Sequence, residues 1–215
     1  MIINIEQTAS NIAQKYAIWI GDEYLEGSAG SASRFQAERT VSRRDGELCC
    51  KYRSPRPTDL VPLIRLFGRE QIRERCDIVR NGELCGSVCC VKGPGPFRLR
   101  YRLDVADTVG LDCYPLARGA YNYVPIYDGA RQIALMETLM VSEVMKFKHK
   151  VYLLDSHADC AGYLAIFAIY YANYRFTDRF HMSLGTTVYR KWTISAFADR
   201  YDPDWRSEHF PSMWD

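Results

Sequence analysis

The chain has no apolar run of the about twenty residues that a membrane-spanning helix needs, and no excess of charge of either sign. Its 28 Lys and Arg nearly balance its 26 Asp and Glu, leaving a net charge of +2. Any attraction to phosphate or to a membrane surface must therefore come from local clustering. Met1-Ile-Ile-Asn-Ile-Glu6 lacks the basic opening and apolar core of a secretory leader, so the expected compartment is the cytoplasm. Thiols stay reduced there, and the eight cysteines are expected to be free. Cys85 and Cys89 stand close together, but no second Cys or His pair follows at zinc-ligand spacing, so neither a metal nor a cofactor is expected.

Catalytic signatures are equally scarce. No G-x-S-x-G, P-loop, dinucleotide or H-E-x-x-H pattern occurs, and Gly93-Pro-Gly-Pro96 is a turn and not a phosphate cradle. Of His149, His157, His181 and His209, His149 lies beside the lysine stripe and His157 sits at the helix start with Asp155 and Asp159 close by. A histidine at a helix start is more often a solvated capping neighbour than a base. No catalytic residue is assigned.

What is abundant is β-structure and one unusual helix. From Cys160 to Tyr174 the chain is apolar or aromatic on every side, with Ala161, Gly162, Ala165, Ala168 and Ala172 threaded among larger residues. Such a helix is buried in protein or in lipid, and this one is too short for lipid. Ser156 or Asp159 can cap its start, and Arg175 suits its end.

Upstream, three Gly-bearing turns sit between β-rich runs: Asp45-Gly46, Asn81-Gly82 and Asp128-Gly129. Asn-Gly and Asp-Gly favour two-residue hairpin turns because both central residues need positive φ. Asp45-Gly-Glu-Leu-Cys49 and Asn81-Gly-Glu-Leu-Cys85 share a phrase, read as a repeated hairpin unit. Cys49-Cys50 and Cys89-Cys90 should each point one thiol in and one out. Residues 1–14 predict a short helix or a loose arm, Tyr16 to Ile20 a strand, and Gly27 to Ser33 a loop. Pro55, Pro57 and Pro62 mark an irregular connection with a helical turn near Leu63–Phe67. Residues 177–215 read as an aromatic-rich tail with a strand at Thr186–Ile194, anchored by Trp192, Trp205 and Trp214. About ten strands and one long helix predict a mainly β fold: a closed antiparallel barrel of 10–12 strands around a hydrophobic helix near 159–174. The barrel domain is placed at 1–176, with 177–215 a C-terminal extension packed on it.

Tyr127-Asp-Gly-Ala-Arg-Gln-Ile-Ala134, then Lys150-Val-Tyr-Leu-Leu-Asp155, then the apolar helix, resembles the tubby C-terminal-like barrels, in particular the LURP-one-related and phospholipid-scramblase-like branch. The likeness is best over Phe97 to Phe176, looser over Tyr16 to Val91, and does not reach past Thr177. It implies a roughly twelve-stranded barrel filled by a helix and, in some branches, binding of phosphoinositide or other anionic lipid head groups. The cysteine-rich second hairpin and the insert at 55–62 depart from the family pattern.

Two strands carry alternating cations. Arg98, Arg100 and Arg102 share one face, and Lys146, Lys148 and Lys150 share another. Were those strands neighbours, six cations would form one ligand-binding patch for an anionic head group; the plainer reading is the solvated outer faces of half-buried strands. Arg39, Arg43, Arg44, Lys51 and Arg53 make a second, weaker cluster. The expected function is non-catalytic binding of an anionic phospholipid surface or a protein partner, with no nucleic acid. The alternative is a small-molecule hydrolase or carrier with a pocket at a barrel mouth.

Overall fold

The structure is a computed structural model, and it describes residues 1–10, 14–30, 38–43, 46–52, 71–92, 99–105, 110–118, 121–141, 146–180 and 197–211. Thirteen strands and one long helix dominate it. The first five strands are β1 (Ile2–Ser10), β2 (Gln14–Ile20), β3 (Glu23–Ala29), β4 (Arg39–Arg43) and β5 (Gly46–Tyr52). The long strands β6 (Gln71–Arg80) and β7 (Glu83–Lys92) follow, then β8 (Leu99–Val105), β9 (Leu111–Cys113) and β10 (Leu116–Arg118). The last three are β11 (Tyr121–Asp128), β12 (Arg131–Val141) and β13 (Lys146–Leu153).

Each strand pairs antiparallel with its successor from β1 to β9, and β13 returns to pair with β1. The ring closes where β9 pairs with β11, placing Cys113 opposite Ile126 and Leu111 opposite Asp128. Twelve strands thus form a closed barrel, with β10 as an extra strand beside β11. At about 4.8 Å per strand and a tilt of about 40°, twelve strands enclose a radius of about 12 Å, enough for a helix and its side chains.

The helix α1 (Ala161–Phe180) fills that space. Every residue from Ala161 to Ala172 is buried, in one cluster with inward residues from all around the wall, among them Ile5, Ile18, Val41, Cys76, Tyr101, Val124 and Val151. The barrel around a central hydrophobic helix is as the sequence predicts. The helix differs at both ends. A 3-10 turn, Asp155–Cys160, leads into it with no side-chain cap, and it runs past Arg175 and past residue 176 to Phe180.

Residues 1–10 form a strand and not a helix or arm. Ile3 and Ile5 alternate into the core, and the strand joins β13 to β2, without which the barrel would be open. The expected loop from Gly27 begins later, since β3 continues to Ala29. All three hairpins form. Asn81 (φ 52°) and Gly82 (φ 88°) make the two-residue turn expected of Asn-Gly. At Asp128-Gly129 the turn lies one residue on: Asp128 pairs with Arg131, leaving Gly129 and Ala130 in the bend, with only the glycine at positive φ.

The repeated phrase folds in two opposite ways. Gly46 pairs with Arg43, so it already lies in the strand, whereas Gly82 is a turn residue between Arg80 and Glu83. A one-residue slip turns every following side chain to the other face. Leu48 is therefore buried in the lumen, while Leu84 is 60% exposed on the outside.

Residues 197–211 lie on the outer wall, with a 3-10 turn at Ala198–Arg200 and a short helix α2 (Trp205–His209). Trp205 is buried there against Leu135 of β12 and Tyr152 of β13, as expected of an anchoring tryptophan. Trp192, Trp214, the strand at 186–194, the helical turn at 63–67 and the prolines at 55–62 lie outside the described residues.

Candidate functional site

The alternation proposed for the basic strands holds in both. On β8, Tyr101, Leu103 and Val105 are buried while Arg102 is exposed; on β13, Phe147, His149 and Val151 are buried while Lys148 is exposed. The two stripes are not brought together. Around the wall, β9, β11 and β12 stand between β8 and β13, a separation of about 19 Å at the usual strand spacing. Arg98 lies outside the described residues.

Each remaining cation of the six has a local partner. Arg100 pairs with Asp112 on β9, and Arg102 Nε lies 3.0 Å from Asp104 on its own strand. Lys148 Nζ meets Glu6 at 2.9 Å on β1, and Lys146 donates to the Thr8 carbonyl at 2.7 Å. Lys150 sits 5.5 Å from the Tyr152 ring centroid and opposite Glu137 on β12. Arg75 and Asp77, 3.8 Å apart, and Ser87, donating to Asp104 at 2.9 Å, extend the β8 contacts across β6 and β7. These strands carry a lattice of alternating charge.

The second basic cluster divides. Lys51 is a surface cation 3.1 Å from Glu38, whose other contact is the Cys49 thiol, donating at 2.8 Å. Burial and that acceptor push the Cys49 thiol up to about 12. Arg39 corrects the surface assignment, because it is fully buried and faces the lumen. Its guanidinium lies 4.9 Å from the Tyr170 ring centroid of α1. Val41, two residues on and also buried, is the signal in the sequence that Arg39 shares an inward face. Arg44 and Arg53 are outside the described residues.

Around Arg39 the wall contributes Cys50, Glu74 and Cys76, all buried. The Cys76 thiol is pushed well up by its hydrogen bond with the Cys50 sulfur, by burial and by the Glu74 carboxylate, with Arg39 pulling the other way. Tyr170 is raised by burial and by the same carboxylate. A thiol raised in this way is protonated and unreactive, which suits Cys76 to a packing role beside α1. The one-in, one-out reading of the adjacent cysteines holds: Cys50 and Cys90 join the lumen cluster, while Cys49 and Cys89 contact outer-wall groups. The outer thiols are nonetheless buried beneath neighbouring side chains.

Two histidines take different roles. His149 is inside, its Nδ1 2.9 Å from Thr138 Oγ1, and burial alone lowers it to about 3. His157 lies at the barrel end where α1 enters, with Nδ1 2.9 Å from Ser156 Oγ and Nε2 3.6 Å from Asp128 Oδ2. Serine, histidine and aspartate are thus in sequence of contact. Ser156 is exposed, however, and 3.6 Å is beyond a direct hydrogen bond, so the set ties the helix entry to the β11–β12 hairpin more than it prepares a nucleophile.

The most elaborate outer surface is the one the tail covers. Across β11, β12 and β13, Tyr123, Leu135, Tyr152 and Glu137 receive Tyr201, Trp205, Arg206 and Phe210. Arg206 Nη1 donates to both Glu137 oxygens, at 2.8 and 3.1 Å, and its guanidinium lies 5.6 Å from the Tyr152 ring. Further along, Arg200 lies 5.5 and 5.9 Å from the rings of Tyr114 and Tyr127, whose hydroxyl donates to the Arg200 carbonyl at 2.9 Å. Phe197 closes the side of Tyr114 at 5.0 Å. The only sequence signal for this surface is the density of tyrosine in β11 and of tryptophan and arginine in the tail.

The architecture defines a class: a closed, twelve-stranded antiparallel barrel whose lumen is occupied by its own helix, leaving rim and outer wall for contact with other molecules. No family model, no curated protein and no solved structure matches the chain. Among the described residues no group of three or more potential ligands could hold a metal ion, and no helix is long and apolar enough to cross a membrane.

Proposed function

We propose that the chain is a non-catalytic binding module of the tubby-like barrel class, and that its outer wall engages a protein segment in preference to an anionic lipid head group. The observation that carries this reading is the filled lumen: Leu164, Ile166, Phe167 and Ile169 occupy the space a carrier would keep for cargo. The wall remains, and there the described cations of the two basic stripes are already neutralised by carboxylates or held by backbone and ring. Over β11 to β13, by contrast, a polypeptide segment is docked. The resemblance in the 127–155 stretch supports the class.

Vesicle co-sedimentation tests the choice of partner. The expected result is equal sedimentation with neutral vesicles and with vesicles containing phosphatidylserine and phosphoinositide. Sedimentation on anionic vesicles alone, lost on charge reversal at Lys146, Lys148 and Lys150 or at Arg100 and Arg102, would transfer the reading to head groups. Native mass spectrometry of chain isolated from its own cells should add a polypeptide mass and not a lipid mass.

A second reading, hydrolysis at the barrel rim, is favoured only by the Ser156, His157 and Asp128 contacts. A serine-directed fluorophosphonate that labels Ser156 would support it, and an unlabelled Ser156 under conditions that label a control hydrolase would dismiss it.

A further inference from the structure

We infer that the outer face of β11, β12 and β13 is a peptide-docking groove for a segment carrying an aromatic residue followed directly by arginine, and that residues 197–211 fill it in cis as an internal stand-in for the partner. The inference rests on the outer-wall reading and names the chemistry of the segment.

The groove is built from two kinds of recognition. Leu135, Tyr152 and Tyr123 form an apolar floor that takes the Trp205 indole and the Phe210 ring, with Trp205 5.8 Å from Phe210 and Phe210 5.4 Å from Tyr152. Beside that floor Glu137, with a side chain only 13% exposed, accepts both bonds from Arg206. A half-buried carboxylate flanked by an aromatic ring selects a guanidinium over an ammonium, because the planar cation can stack on the ring and bond the acid together. Trp205-Arg206 satisfies both at once, and adjacency is required because floor and carboxylate are adjacent on the wall. Large aromatics and arginine are the side chains that dominate peptide and protein hot spots.

The bound segment is a strap most of whose side chains stay in solvent. Asp199, Arg200, Asp202, Pro203, Asp204, Glu208, His209 and Pro211 are all exposed, and Trp205 is its one buried residue. The helix α2 is five residues long, too short to persist without the wall beneath it. Few buried apolar contacts and much exposed backbone place a segment at the low end of local stability, where opening precedes global unfolding. A partner segment with the same aromatic-arginine pair would compete with the strap for one surface, and the strap's local concentration would set the affinity that partner needs.

The probe is a fluorescein-labelled synthetic peptide spanning residues 197–211, titrated by anisotropy against the full-length chain and against full-length Trp205→Ala/Arg206→Ala. The expected result is at least tenfold tighter binding to the double variant, whose own strap no longer competes. Adding Glu137→Gln to that variant, or Arg206→Ala to the peptide, should weaken binding at least fivefold. Equal binding to wild type and double variant, or binding to neither, overturns the inference. Hydrogen exchange on the unmodified chain reads the same displacement without a substitution: saturating peptide should lower protection across 197–211 and leave β6 and β7 unchanged. Unaltered protection overturns the proposal equally. Because vesicle sedimentation does not involve this peptide, a failure here leaves the choice between lipid and protein to be read independently.

Discussion

Gly27 of β3 lies directly beneath Ile169 of the central helix: a Cβ built at position 27 would fall 2.7 Å from Ile169 Cδ1 and 3.0 Å from Ile18 Cδ1. The backbone of β3 therefore sets how near the helix can approach this side of the wall. The two nearest atoms are the ends of flexible side chains, and the third, Tyr16 Cβ at 3.3 Å, need shift only slightly, so Gly27→Ala should be accommodated by small movements. Gly27→Val cannot be, and overpacking of that kind costs about 1–3 kcal/mol. Urea unfolding of the two variants should show the valine midpoint well below the alanine one.

The shared phrase at 45–49 and 81–85 supplies an internal control. Leu48 is buried and Leu84 is 60% exposed, although each follows Gly-Glu and precedes Cys. Leu48→Ala opens a cavity in the lumen and should cost about 2–5 kcal/mol, whereas Leu84→Ala should stay within about 0.5 kcal/mol of wild type. Equal effects would mean that the β4–β5 and β6–β7 pairings do not differ in register.

The Arg206–Glu137 pair should couple measurably, because the guanidinium lies over the Tyr152 ring and both side chains are partly shielded from water, at 30% and 13% exposed. A double-mutant cycle with Arg206→Ala and Glu137→Gln should return an interaction of about 1 kcal/mol, more than a freely exposed pair gives. The matching cycle on Lys148 and Glu6, with side chains 53% and 43% exposed, should return close to zero.

These contrasts mark which parts of the molecule could be read in advance. Turn chemistry is local, so Asn81-Gly82 announces its hairpin whatever surrounds it. The all-apolar run at 160–174 demands burial, and together with the many strands around it that points to the barrel. Residues 1–10 were ambiguous because Ile5, Ala9 and Ile12 fit a helical period while Ile3 and Ile5 fit a strand, and only closure against β13 decides. The separation of the two basic stripes is hidden for a different reason. Which residues share a strand face follows from alternation, but which strands are neighbours is a property of the whole ring. Arg39 was misplaced although Val41 marked its face, since a buried guanidinium is unexpected until Tyr170 and Glu74 are known to surround it. The docking groove had no local pattern to find, being assembled from strands and tail residues some 69 positions apart, as in Glu137 and Arg206.

His149 gives the fold a predictable acid sensitivity. It is 2% exposed inside the barrel, bonded through Nδ1 to Thr138, and burial lowers its folded pKa to about 3 from the ordinary 6.5. Below pH 6.5 the unfolded chain takes up a proton at this site that the folded chain refuses until about pH 3. Unfolding is thereby favoured progressively as pH falls, by about 1.4 kcal/mol for each unit within that window, and the contribution is wholly retained above it. Carboxylates add their own slope, so the informative quantity is the difference between wild type and His149→Gln in urea midpoints at pH 7, 6, 5 and 4. The variant should lose stability less steeply with acid by about one proton's worth, even if it starts lower at pH 7. Parallel curves would mean that the imidazole is charged inside the barrel, which would require a buried anion beside it and a different packing of β12 and β13 on the helix.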